Sequence, residues 1–221
     1  MNKSEDRRKE IEYRILQGEE AVFNNEVFEM LLNAVHDETQ AQVISKRLTD
    51  HFKGVGRILS QEMDDLKIIE GVTDSTVAII RGASMLANRA LIEEVEKGPV
   101  IDNWEKLTDY LQANIGHAER ENLKIMLLNK GFYLIGEETY VGTMSQVPIL
   151  VMEIIRKAVL TRATSMIISH NQPGGTVKPS ERDKAMTKSL ASACAIIGIK
   201  LVDHIIVAGN DYFSFKESGL L

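Results

Sequence analysis

Cysteine is nearly absent from this chain: Cys194 is the only one in 221 residues. That excludes an internal disulfide framework and fits a reducing compartment. Long apolar runs are missing as well. None approaches the roughly 20 residues that a bilayer-spanning helix requires, so no membrane association is expected. The first ten residues are charged and lack the apolar core of a signal peptide, which makes the cytoplasm the expected location. A basic surplus is also lacking, since the formal net charge is −6. Residues 1–97 carry 13 Lys+Arg against 19 Asp+Glu, and residues 98–221 carry 13 of each. All the net negative charge lies in the N-terminal part, and nucleic-acid binding wants the opposite sign there.

What is present is ordinary for a globular protein, with 44% hydrophobic and 26% charged residues. Residues 4–17 are charged and read as a helix or an ordered arm with a solvated face. Asn25 to Val35 and Ala41 to Phe52 carry apolar residues at helical spacing, and Ser75 to Glu96 repeats the pattern. Between them, Leu66 to Ser75 resembles a helix-hairpin-helix. Gly71 with Val72 keeps half of a Gly-hydrophobic-Gly hairpin, whose backbone N–H groups would meet a phosphate. Thr73 stands at the second glycine position and Asp74 adds a negative charge. A DNA contact at Gly71 and a purely structural hairpin are both open on the sequence.

Lys97-Gly98-Pro99 marks a boundary, giving a helical N-terminal domain over 1–97 and a second domain over 100–221. Asp102 to Ile115 reads as a helix, with Asp102 and Glu105 as a capping pair. Leu123–Leu128 and Phe132–Glu138 read as strands around the turn Asn129-Lys130-Gly131. A helix over Pro148–Thr161, a strand over Met166–His170 and a helix over Ser180–Ile197 follow. The last helix is expected to bury Met186, Leu190, Ala193, Cys194 and Ile197. Gly198 fits its C′ position. Strands over Leu201–Ala208 and Tyr212–Phe215 close the chain. Strands and helices in this order predict an α+β fold, a mixed β-sheet domain with flanking helices behind a small helical domain.

The chain is organised around Ser169-His170-Asn171-Gln172-Pro173-Gly174-Gly175, followed by Ser180-Glu181-Arg182-Asp183. A histidine sits at a strand end and an aspartate in the first turn of the next helix, and a Gly- and Pro-rich loop folds between them. Residues two apart in a strand share a face, so Gln172 looks the same way as His170. A second histidine at position 172 would complete, with Asp183, three ligands for a zinc ion and leave a fourth place for water.

These residues, with Leu201-Val202-Asp203-His204-Ile205-Ile206-Val207, resemble the bacterial RadC family, within the JAMM/MPN superfamily of zinc metallopeptidases and their inactive relatives. Its pattern is His-x-His-Pro, a Ser, and an Asp three residues later. The resemblance extends through His117-Ala118-Glu119-Arg120-Glu121, Leu134 to Glu138, Gly142-Thr143 and Tyr212 to Phe215. It covers residues 100 to 221 well and the first hundred more loosely. It implies an MPN-type fold, with His170, Asp183 and the position of Gln172 as metal ligands, Glu138 as the general base and Ser180 as the donor to an oxyanion.

Plainer readings stand beside these. Ser180-x-x-Asp183 is also a helix-capping arrangement. His204 reads as structural or as a group behind a ligand, and Cys194 reads as core. The amide of Gln172 is a weaker zinc donor than an imidazole. The leading expectation is a degenerate RadC-like protein that binds a protein or nucleoprotein partner, with weak or lost peptidase activity. The alternatives are an active zinc-dependent peptidase or isopeptidase and a DNA-associated, repair-related protein.

Overall fold

The computed structural model describes residues 3–19, 22–142 and 147–221. The chain divides into two compact units, Met1–Ala87 and Asn88–Leu221.

The first unit is helical: α1 (Lys3–Leu16), α2 (Asn24–Leu32), α3 (Glu38–Phe52), α4 (Val55–Ser60), α5 (Met63–Lys67) and the start of α6 (Asp74–Glu96). Its core gathers Phe28, Leu32, Ile44, Leu48, Phe52, Ile58, Leu66 and Ile80, the apolar stripes of the helices. The acids Glu26 and Glu29 of α2 are buried against Arg7 and Arg14 of α1, with Arg14 donating to Glu26 at 2.7 Å. The stretch between α5 and α6 turns at Gly71, whose φ of +95° suits glycine.

The divide between the units falls inside α6, upstream of the break expected at Lys97-Gly98-Pro99. The end of α6 goes with the second unit because Leu91, Ile92 and Val95 pack into its core. A 3₁₀ turn (Val100–Asp102), α7 (Trp104–Leu111) and a π-type turn (Gln112–Gly116) come next. Asp102 and Glu105 do not form the expected capping pair. Asp102 is taken up in the 3₁₀ turn, which the buried Val100 holds by donating its N–H to Phe132 at 2.9 Å, and Asn103 precedes α7 without a side-chain cap.

The sheet has five strands in the order β2-β1-β3-β4-β5: β1 (Asn122–Leu128), β2 (Leu134–Val141), β3 (Ser165–Asn171), β4 (Lys200–Ala208) and β5 (Asp211–Ser214). β1 runs antiparallel to β2 and β3, β3 and β4 are parallel, and β5 returns antiparallel on β4. The mixed sheet with flanking helices is the α+β architecture that the sequence predicts. β1 and β3 are buried along their whole length, which is why their centres, Ile125–Leu128 and Met166–Ile168, are apolar without alternation. One face packs against α8 (Val147–Leu160) and α9 (Glu181–Ile196) through Ile125, Ile168, Ile154, Met186, Leu190 and Cys194. The other meets α7 through Met126, Ile167, Val207, Leu107 and Leu111. Ile197, expected in the core, is 42% exposed because the helix has ended by then; Ile199 takes the buried place after Gly198 turns the chain at φ +73°.

α9 is the crossover between the parallel strands β3 and β4. Such a connection brings the C-terminal end of the first strand next to the N-terminus of the helix. That end of β3 holds His170. Among the described residues, no helix is long and apolar enough to cross a membrane.

Candidate functional site

His170 is fully buried near the end of β3, paired across the sheet with Leu123 of β1 and Ile206 of β4. Gln172 continues the strand by donating its N–H to Val207 at 2.8 Å. Asp183, 3% exposed, sits in the first turn of α9. One of its oxygens, Oδ2, accepts from the Ser180 N–H at 2.7 Å and from the Ser180 hydroxyl at 2.6 Å. The Asp183 N–H donates back to Ser180 Oγ at 3.2 Å, so Ser180 and Asp183 form a capping box. The other oxygen, Oδ1, is 3.5 Å from His170 Nε2, a buried atom with no hydrogen-bond partner.

Burial pushes the His170 pKa below its ordinary value, against the pull of the Asp183 and Glu121 carboxylates and of the Gln172 side chain toward the charged form. The neutral imidazole then turns Nε2, which makes no well-aligned hydrogen bond, toward a carboxylate oxygen, with the Gln172 side chain beside it. With a bare Nε2, these two atoms would give a cation a seat of two donors.

Behind His170 lies a second buried histidine. His170 Nδ1 is 2.8 Å from His204 Nε2, and His204 Nδ1 is 2.6 Å from the hydroxyl of Thr187 on α9. The His204 ring stacks on Phe215 at 4.6 Å between centroids and 15° between planes. Its neighbour Asp203 accepts from the Ser214 hydroxyl at 2.5 Å and the Lys216 N–H at 2.9 Å, which ties the closing segment to β4. Burial, then the neighbouring His170, holds His204 well below the usual histidine range.

Glu138 is not part of this group. It lies on β2, two strands from His170, opposite Ile125, and its carboxylate pairs with Lys157 of α8. After Asp183, the carboxylate whose charge reaches His170 is Glu121, immediately before β1. Asn171 builds its place. The buried side-chain amide donates to the carbonyls of Ala118 and Arg120, each at 2.9 Å, and accepts from the Asn122 N–H at 2.6 Å. The sequence signal for this was the run His117 to Glu121 within the resemblance, whose carboxylates went unused. Thr143, quoted with Gly142, lies outside the described residues.

The 3.5 Å between His170 Nε2 and Asp183 Oδ1 is what two ligands of a tetrahedral ion with bonds of about 2.0–2.2 Å would show. A hydrolytic zinc centre needs a third protein ligand. Among the described residues no group of three or more His, Cys, Asp or Glu side chains is arranged to hold a metal ion. His204 cannot serve, because its Nε2 is spent on His170. The residues fit two points of a zinc centre and not three.

The family model of the RadC-like JAB domain matches residues 101–220. The chain belongs to the RadC family. Similar proteins extend the match to nearly the whole chain. A UPF0758 protein of Variovorax paradoxus is 31% identical over 94% of this chain and 93% of its own length. One from Burkholderia thailandensis is 31% identical over 93% of this chain and 79% of its own. A third, from Leptothrix cholodnii, is 29% identical over 92% of each. Within this RadC-like domain the β3 end, α9 and β4 contribute the buried cluster, and the loop before β1 contributes Glu121.

The capping box makes a prediction about Ser180. Its hydroxyl hydrogen bonds Asp183 and its oxygen accepts from the helix, so the first effect of Ser180→Ala is on folding. The variant is expected to lose about 0.5–2 kcal/mol of stability, read from chemical unfolding midpoints. An unchanged midpoint would show that the cap does not matter.

Proposed function

We propose that this RadC-like protein acts by binding a protein or nucleoprotein partner, and that its centre has weak or lost peptidase activity. The observation that carries this reading is the donor set: His170 and Asp183 converge, while the third position holds the amide of Gln172. An amide oxygen is a poor substitute for imidazole toward zinc. The purified chain is therefore expected to hold well under one zinc per molecule after mild dialysis, measured by elemental analysis. Stoichiometric zinc that survives dialysis, together with metal-dependent cleavage of a peptide or isopeptide, would overturn the proposal in favour of an active peptidase. In that competing reading the proton-transfer role falls to Glu121, because Glu138 is two strands away and paired with Lys157.

A DNA-associated role through the hairpin is less well supported. A Cβ at Gly71 would meet Ile44 Cγ1 at 2.9 Å, so this glycine is explained by packing on α3. Thr73 donates its N–H to the Thr76 hydroxyl at 3.0 Å and accepts from the Thr76 N–H at 3.2 Å. The Val72 N–H goes to Ile69 at 3.1 Å. Two of the N–H groups that a phosphate would need are thus taken internally, beside Asp74 and within an acidic segment. Duplex and branched DNA are expected to bind little at near-physiological salt. Micromolar or tighter binding that falls with salt, and is lost on replacing basic residues of the first unit, would restore the DNA reading.

A further inference from the structure

Thr187 is outside the sequence motif, yet it ends a hydrogen-bonded row that determines what His170 offers. Thr187 Oγ1 is 2.6 Å from the carbonyl oxygen of Asp183 and 2.6 Å from His204 Nδ1. A carbonyl oxygen only accepts, and a hydroxyl has one hydrogen, so the Thr187 hydrogen belongs to Asp183. The reverse choice would leave two oxygens 2.6 Å apart with nothing between them. His204 Nδ1 must then carry a hydrogen and donate to Thr187. His204 is fully buried, and its ring nitrogens meet a hydroxyl and an imidazole rather than a carboxylate, so it carries one hydrogen only, and its bare Nε2 accepts from His170 Nδ1 at 2.8 Å. His170 in turn keeps a bare Nε2, the buried atom without a partner that faces Asp183 Oδ1.

We propose that Thr187, acting through His204, is a positioning residue that fixes the tautomer of His170, so that Nε2 presents its lone pair to the site. The opposite tautomer would put a hydrogen on Nε2 and direct it at Asp183, closing the seat with an internal hydrogen bond. The row holds the seat open at a distance from the site itself, and Phe215 keeps the central ring in plane. The inference concerns hydrogens within this chain and holds whether or not a metal enters, so it stands or falls separately from the proposed function.

The test is long-range ¹H–¹⁵N correlation of the histidine side chains in metal-stripped protein, at a pH where both rings are neutral. In the unmodified chain His170 and His204 are each expected to show a protonated Nδ1 and a bare Nε2. Thr187→Val keeps the shape of the side chain and removes the hydroxyl. It should shift the His170 Nε2 signal toward the protonated position, and Thr187→Ser should restore the original pattern. A protonated Nε2 on His170 in the unmodified chain would overturn the proposal. So would a Thr187→Val spectrum identical to the original. Should Thr187→Val fail to fold, the unmodified and Thr187→Ser spectra still decide the tautomer.

Discussion

Gln172→His is expected to raise zinc affinity by on the order of ten-fold or more. The estimate comes from the cost of losing groups that only support a ligand, about 10–100-fold, and a ligand itself should be worth at least as much. The geometry favours the change. Position 172 extends β3 by a hydrogen bond to Val207 and shares the face of His170, and His170 Nε2 and Asp183 Oδ1 already stand at ligand spacing. An imidazole there would supply the third ligand of a hydrolytic centre and leave a place for water. Because zinc would bind only the folded chain, saturating it should also raise thermal stability, by about 2.7 kcal/mol at a hundred times the dissociation constant. Zinc titration with calorimetry, and thermal unfolding with and without zinc, measure both effects. Tight, stoichiometric zinc in the unmodified chain, with no gain in Gln172→His, would mean that the Gln172 amide already completes a working centre, and the scaffold proposal would fail.

Much of the site was legible because strand and helix periodicities fix direction. The spacing of His170 and Gln172, and a Ser three residues before an Asp at a helix start, place these groups without tertiary information. The fold was legible for a similar reason: apolar runs too short for helices, set between amphipathic stretches, leave few arrangements other than a mixed sheet with helices on its faces. Pairings across the fold were not legible. Glu138 lies within β2 and Glu121 just before β1, and only the strand order decides which charge reaches His170. Lys124 shows the same limit. The structure buries it inside β1, pairs it with the exposed Glu137 at 3.2 Å and sets it over the Tyr110 ring, and desolvation holds its pKa below the usual lysine value. Thr187 and Asn171 carry no chemistry of their own in sequence. Their roles arise from what the sheet and α9 bring against them.

Asn171→Ala is expected to cost about 2–4 kcal/mol, a large effect for one polar residue. The side chain is fully buried and makes three hydrogen bonds to the backbone between Ala118 and Asn122. Truncation leaves two carbonyls and an N–H without their partner, and water reaches them only if the segment moves. That movement would also shift Glu121, whose charge reaches His170, so the loss of stability should be accompanied by loss of whatever binding the site supports. Asn171→Asp separates the two halves of the contact. It keeps the oxygen that accepts from Asn122 but turns a second, negative oxygen toward the carbonyls of Ala118 and Arg120. Repulsion in a buried setting should make it at least as damaging as alanine, despite being the closer match in shape. Urea unfolding midpoints of the three proteins provide the comparison. If Asn171→Ala lies within about 0.5 kcal/mol of the unmodified chain, the range of ordinary surface substitutions, the segment holds itself in place and Asn171 does not position Glu121.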